Sequence, residues 1–393
     1  MLTLAGARQT PARTTAATLA LGAALALTGC GGKDSAGAAG TGGAGSTGGP
    51  IAVTATDTEC RVIATSAPAG TITFKVTNAG SKINEFYVYA AGDRIMGEVE
   101  NVGPGLSREF HVEITEPGAY QTACKPGMVG DGIRAAFTVT GTAPAAKTDN
   151  QLLQQAVAEY HRYTSSQADA FLAETTTFVA LVKAGKVDQA KALYPTARSY
   201  WERIEPVAES FGDLDPKIDG RADVVDEGMT FTGYHRLERD LWQDGLQPDS
   251  GTIADHLLAD VTTLVGKVKD VELNPLQLAN GSKALLDEMA TGKITGEEER
   301  YSHTDLWDFE ANFEGSKTAL AALRPFLTEK DPALVGEIDR TAEVLGDLLE
   351  TDREGDGFVL YPQLSKDDIK KLTDALDGFA EQVAKVAGVV AAG

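Results

Sequence analysis

The sequence predicts a multidomain chain in which an all-β sandwich is followed by an all-α helical bundle. Three observations carry that reading. Between Ile51 and Gly141, short runs alternate apolar and polar residues and are separated by glycine and proline, the pattern of half-buried strands. From residue 151 onward the apolar spacing becomes three and four, the period of amphipathic helices. The first fifty residues fit neither pattern.

Residues 1–30, "MLTLAGARQTPARTTAATLALGAALALTGC", carry Arg8 and Arg13, then a short apolar run, then small residues ending at Cys30. That order describes a secretory signal, and the run is too short to favour a mature transmembrane helix. The "LTGC" ending resembles a bacterial lipobox, which makes Cys30 the lipidation site. A plain signal peptide with a chance cysteine is the other reading. Residues 31–50 are a glycine-rich tether with almost no large apolar side chain, unable to offset its own ordering entropy by burial.

Strands follow at "IAVTATDTECRVIA", "GTITFKVTNAG", "NEFYVYA", "REFHVEIT", "GAYQTAC" and "IRAAFTVTG". Short strands at this spacing predict a sandwich over 51–141. Residues 142–150 read as a linker, and 151–393 as a helical bundle. Its first helix is long and ends at Gly185. The second is interrupted or kinked near Pro195. The third runs from about Val224 to Trp242, and further amphipathic segments follow to the C-terminus.

The net charge of −22 argues against nucleic acid, which needs a basic footprint, and favours solubility and cation binding. "GYHRLERDLW" holds one of only five histidines. His235 and Glu238 are one helical turn apart, so both side chains leave one face and can reach one cation. "WERIEP" repeats the spacing with Glu202 and Glu205, and Asp219 lies in the connecting segment. Antiparallel packing of consecutive helices would set Glu202 and Glu205 opposite His235 and Glu238. Carboxylates facing one histidine suit iron better than copper(I). The alternative is a solvated helix surface, with Arg236 and Arg239 as ion partners. No HExxH, G-x-S-x-G or P-loop is present, so no catalytic residue is assigned. Around His303, "EEERYSHTDLWDFEANFEG" reads either as a helix start capped by Ser302 or as a cleft lined by Tyr301, Asp305 and Asp308. "DREGDG" reads as an acidic turn, because the twelfth position of an EF-hand loop would fall on Gln363.

In the β region, Cys124 stands four residues before Met128, as copper sandwiches present their ligands. The two histidines of a blue-copper site are missing; Glu85 and Lys125-Pro126 stand where they are expected. Glu85, Glu98 and Glu100 are then candidate oxygen ligands beside Cys60 and Cys124. Glu98 and Glu100 share a face if their segment is extended. The ion there would be copper, iron or zinc. A Cys60–Cys124 disulfide, the default for an exported chain, excludes thiolate ligation.

The order of signal, two-cysteine β domain, and a helical domain carrying "RSYWERIEPVAESFGDLDPKIDGR", "FTGYHRLERDLW" and "ITGEEERYSHTDLWDFEANFEG" resembles the EfeO-type branch of the imelysin-like family, with its HxxE motif. The resemblance spans about residues 51 to 390. It implies a cupredoxin-like sandwich followed by an imelysin-like bundle. It also implies an extracytoplasmic iron-binding component serving a membrane ferrous-iron permease beside a haem-dependent peroxidase. Carried over by position, the helical metal site falls on Glu202, Glu205, Asp219, His235 and Glu238, and the β-domain candidates on Cys60, Glu85, Glu98, Glu100 and Cys124. Cys30 and the tether imply a protein anchored to the outer face of the cytoplasmic membrane. The rival readings are a ferroxidase and a cation-bridged binder of acidic glycans.

Overall fold

A computed structural model describes residues 49–141, 150–212, 214–222 and 230–392. The expected signal peptide with Cys30, nearly all of the tether and nearly all of the linker lie outside the described residues. Among the described residues, no helix is long and apolar enough to cross a membrane.

Alternation in the sequence becomes two packed sheets. Strands β1 (Ile51–Ala55), β2 (Cys60–Val62), β4 (Gly70–Asn78) and β7 (Ser107–Ile114) form one, in the order β2-β1-β4-β7. The other runs β3-β9-β8-β5-β6, from β3 (Ser66–Pro68), β5 (Asn84–Tyr89), β6 (Ile95–Val102), β8 (Gly118–Pro126) and β9 (Ile133–Thr140). Two pairs are parallel, β1 with β4 and β3 with β9; the rest are antiparallel. Between the sheets, the Phe74 ring packs 5.1 Å from Phe86 and 5.7 Å from Phe137, and all three are buried.

Cys60 on β2 and Cys124 on β8 are joined by a disulfide with Cα atoms 5.5 Å apart, so it ties one sheet to the other. This corrects the thiolate reading: bonded to each other, neither sulfur is the anionic thiolate that serves as a metal ligand. The β6 segment is extended, placing Glu98 and Glu100 on one face as expected, with Glu98 opposite Tyr87 of β5.

The helical domain is built on α1 (Gln151–Lys183), which packs against α2 (Val187–Glu202), α6 (Ser250–Asp270) and α8 (Asp305–Lys330). Helix α2 contains Pro195 and runs on past it; a missing backbone donor does not end a helix held by a buried face. Short helices α3 (Glu205–Ala208) and α4 (Asp215–Ile218) follow. Helix α5 covers only Gly233–Arg239 and continues as a π-turn over Asp240–Asp244. It starts later than the periodicity suggested, because Thr232 is extended and Gly233 has φ +77°. The remainder is α7 (Pro275–Thr291), α9 (Pro332–Thr351), a two-residue hairpin at "DREGDG" (β10, Arg353–Glu354; β11, Gly357–Phe358), α10 (Lys366–Val383) and α11 (Val386–Ala391).

Helix α7 makes the largest part of the junction with the β domain. Asn280 Nδ2 donates to the His111 carbonyl at 2.7 Å, and Asn101 Nδ2 donates to the Asp287 carbonyl at 3.2 Å. Arg108 stands 3.9 Å from the Asp287 carboxylate.

The disulfide spans 64 residues, long enough for its loss to cost about 2–4 kcal/mol. Cys60→Ala/Cys124→Ala should lower the denaturant midpoint of the β domain accordingly, read by urea unfolding.

Candidate metal centre

The short helix that carries His235 is placed from two sides. Tyr234 is buried with its ring stacked 5.3 Å from Phe178 and 5.7 Å from Phe171, and its hydroxyl meets Thr175 Oγ1 at 2.7 Å. At the start of the helix, Gly233 presses on the end of α4. A Cβ at Gly233 would lie 2.3 Å from the Ile218 carbonyl oxygen and 2.6 Å from that of Lys217. Asp219 is the next residue after α4, so this backbone contact brings Asp219 and His235 together.

His235 is 2% exposed. Its Nδ1 is 3.3 Å from Glu238 Oε2. Its Nε2 lies 3.5 Å from both Asp219 Oδ1 and Glu298 Oε1, without a well-formed hydrogen bond to either. The other oxygen of Glu238 accepts from the backbone N–H groups of Tyr301 (2.8 Å) and Ser302 (2.7 Å). Asp219, His235 and Glu298 form one group whose donor atoms could hold an ion; His235, Glu238 and Glu299 form another.

Glu202 and Glu205 belong to the same buried cluster but turn to other partners. Arg198, on α2 and fully buried, pairs with Glu202, Asp219, Glu298 (3.5 Å) and Glu299 (2.5 Å). It stands between Glu202 and the histidine. Lys293 Nζ lies 3.3 Å from Glu202 Oε2 and 3.3 Å from Glu205 Oε1. Asn312 Nδ2 donates to Glu202 Oε2 (3.1 Å) and Glu205 Oε2 (3.0 Å). Of the five carboxylate and histidine positions expected in the helical domain, Asp219, His235 and Glu238 therefore meet directly, and Glu202 and Glu205 form an adjoining wall.

The acidic "EEERYSH" segment supplies what the spacing argument missed, Glu298 and Glu299, both buried. Its triple glutamate was the available signal. Ser302 does not cap α8; its hydroxyl serves Glu299 Oε2 and Thr304 Oγ1, each at 3.0 Å. Asp305, Asp308 and Asn312 of α8 share one buried face at helical spacing, where Asp305 accepts from the Glu299 backbone N–H and Asn312 donates to Glu202 and Glu205.

Electrostatics follow from an excess of buried carboxylates. Burial and Arg198 both disfavour the imidazolium of His235. The contacts with Glu238 and Glu298 and the charge of Glu299 outweigh them, and its pKa rises to about 9. Burial would raise Glu298, yet Lys293, Arg221 and His235 hold it well below the usual range. Asp308 is pushed well above its usual range by burial and by Glu299, and burial lifts Asp305 to about 7.

The β-domain carboxylates gather at the junction with the helical domain. Glu85 Oε2 and Glu100 Oε1 accept from the Tyr87 hydroxyl at 3.0 and 3.4 Å. Burial raises Glu85 to about 7 and Glu98 to about 8, with the charge of Glu288 adding to both. Glu98, Glu100 and Asp215 line a cavity of about 190 Å³ with Tyr87, Tyr89 and Lys125.

Because the folded-state pKa of His235 lies above its ordinary 6.5, its protonated form stabilises the metal-free protein below pH 6.5. That contribution disappears as pH rises through about 9. Thermal melts of wild type and His235→Gln should differ most at low pH within this window and converge above it.

A profile of the imelysin family matches residues 156–386, and one of the cupredoxin-like domain matches residues 20–139. The chain is 35% identical over 346 residues to the iron uptake system component EfeO of Escherichia coli K12, covering 86% of this chain and 91% of that protein. The EfeO proteins of Shigella flexneri and of Escherichia coli O157:H7 are similar to the same extent.

Proposed function

The chain belongs to the imelysin family as an EfeO-type component of an iron-uptake system, and from that premise we propose that its helical cavity captures iron at His235. The carrying observation is the buried Nε2 of His235, without a good hydrogen bond, 3.5 Å from one oxygen each of Asp219 and Glu298. Donors bound at about 2.1 Å to one ion stand roughly 3–3.5 Å from each other, so each oxygen stands from Nε2 as a shared ligand would, and the three atoms lie within 4.8 Å of one another. One imidazole and several carboxylates suit iron.

Glu238 is anchored by two backbone N–H groups and meets Nδ1 of the same ring. It orients the imidazole and keeps Nε2 free for the ion, the usual task of a carboxylate behind a metal-bound histidine. Glu299 lies on the Glu238 side of the ring. Glu202 and Glu205 add negative potential from the neighbouring wall. The ion takes the place of the proton on Nε2, so capture releases protons.

In the β domain the disulfide removes the soft ligands that favour copper or zinc. Glu85, Glu98 and Glu100, with Asp215 opposite, make a second oxygen-only position for iron at the domain junction. The cell-envelope role completes the reading. Acylated at Cys30, the chain is held on the outer face of the cytoplasmic membrane, where a ferrous-iron permease receives its cargo and a haem-dependent peroxidase is the third component.

Iron titration of the purified protein tests the site. His235→Ala/Glu238→Ala should lose at least about a hundredfold in affinity, and Glu298→Gln at least about tenfold, the scale seen when ligands or their orienting partners are removed. Wild-type affinity in the double variant would refute the assignment.

A further inference from the structure

Lys293 is a lysine in an unusual place. It is 1% exposed, whereas lysines are almost never fully buried unless paired. It is delivered by the turn Lys293–Thr295, which follows α7 directly. The glycines on either side make the turn possible. A Cβ at Gly292 would stand 3.1 Å from Glu298 Oε2, and Gly296 has φ +72° with the Tyr361 ring 2.2 Å from where its Cβ would be. The Tyr361 hydroxyl bonds to the Ile294 carbonyl, pinning the turn from its other face. This is a rigid mount for one ammonium group.

The ammonium sits where a metal ion could sit. Its neighbours are Glu202 Oε2 at 3.3 Å, Glu205 Oε1 and Oε2 at 3.3 and 3.4 Å, and Glu288 Oε2 at 3.6 Å. Asn312 holds the first two carboxylates in place from behind. The arrangement lies beside the His235 site, across Arg198.

We propose that Lys293 is a tethered counter-ion that fills a second carboxylate seat, formed by Glu202, Glu205 and Glu288, and thereby limits the helical cavity to one metal ion. The inference rests on the cavity being a metal site. Lysine supplies a single charge that never dissociates into solution, so the seat stays neutralised when cargo leaves. A second ion would have to displace an ammonium that cannot move far, and the buried carboxylates it serves cannot stand unpaired. Lys293 is therefore a determinant of stoichiometry rather than a ligand.

The test is anaerobic calorimetric titration of the full-length protein with Fe²⁺. Lys293→Ala should take up one equivalent more than wild type, and Lys293→Ala/Glu205→Gln should return to the wild-type count. Lys293→Gln, which keeps most of the side-chain volume, should repeat the gain. Glu205→Gln alone should leave the count as in wild type. Two results overturn the proposal: an unchanged count in a Lys293 variant with wild-type circular dichroism, or an extra equivalent that persists in Lys293→Ala/Glu205→Gln. Should neither Lys293 variant fold, Lys293→Met, which keeps the unbranched stem and drops the charge, takes their place in the same titration. Added to His235→Ala/Glu238→Ala, Lys293→Ala should still create its extra equivalent, so failure of the His235 site and failure of this assignment read out separately.

Discussion

A guanidinium buried among carboxylates is the interaction on which the helical cavity depends. Arg198 reaches Glu202 on its own helix, Asp219 beyond α4, and Glu298 and Glu299 in the turn before α8. These groups come from three separate stretches of chain. None of the carboxylates could enter the interior as an ion alone, because an unpaired buried charge costs several kcal/mol. The cation makes the convergence of the stretches possible, and that convergence leaves His235 facing Asp219 and Glu298. Lys293 does the same for Glu202 and Glu205. An interior this acidic stands because its cations are part of the polypeptide.

The β domain pairs a cupredoxin-like fold with two cysteines that are bonded to each other. Its sheets close over a phenylalanine core, and Cys124 sits at the end of β8 before the loop to Met128. The sulfur there is bonded across the sandwich to Cys60. What remains polar is a cluster of glutamates around Tyr87, turned toward the helical domain through a junction made largely by α7. That helix also carries Glu288 and leads straight into the Lys293 turn. One helix thus touches the β domain with its side chains and borders the cavity with its C-terminal end.

Much of this was legible in the sequence. The change of period from two to about 3.6 marks both domains, and one-turn spacing correctly placed His235 and Glu238 on one face. Spacing could not show that Glu202 would be claimed by Arg198 four residues before it; an Arg-x-x-x-Glu pair reads as an exposed helix bridge, and here both side chains are fully buried. Glu298 and Glu299 lie in a turn, where no period exists to aim a side chain. Lys293 left only the glycines at the two ends of its turn, Gly292 and Gly296, as a hint. The state of Cys60 and Cys124 was open because sequence says nothing of the 5.5 Å between their Cα atoms. The late start of α5 depended on a single contact, Gly233 against α4.

That contact has a consequence for which cations fit. The two jaws formed by Asp219 and His235 are set by main chain resting on main chain, with no side chain between to flex. Glu298, opposite, hangs from a turn and has a side chain with rotatable bonds. In the proposed site the two chain segments carrying Asp219 and His235 would hold their spacing while Glu298 swings on its turn, so the arrangement would act as a calliper with one fixed arm.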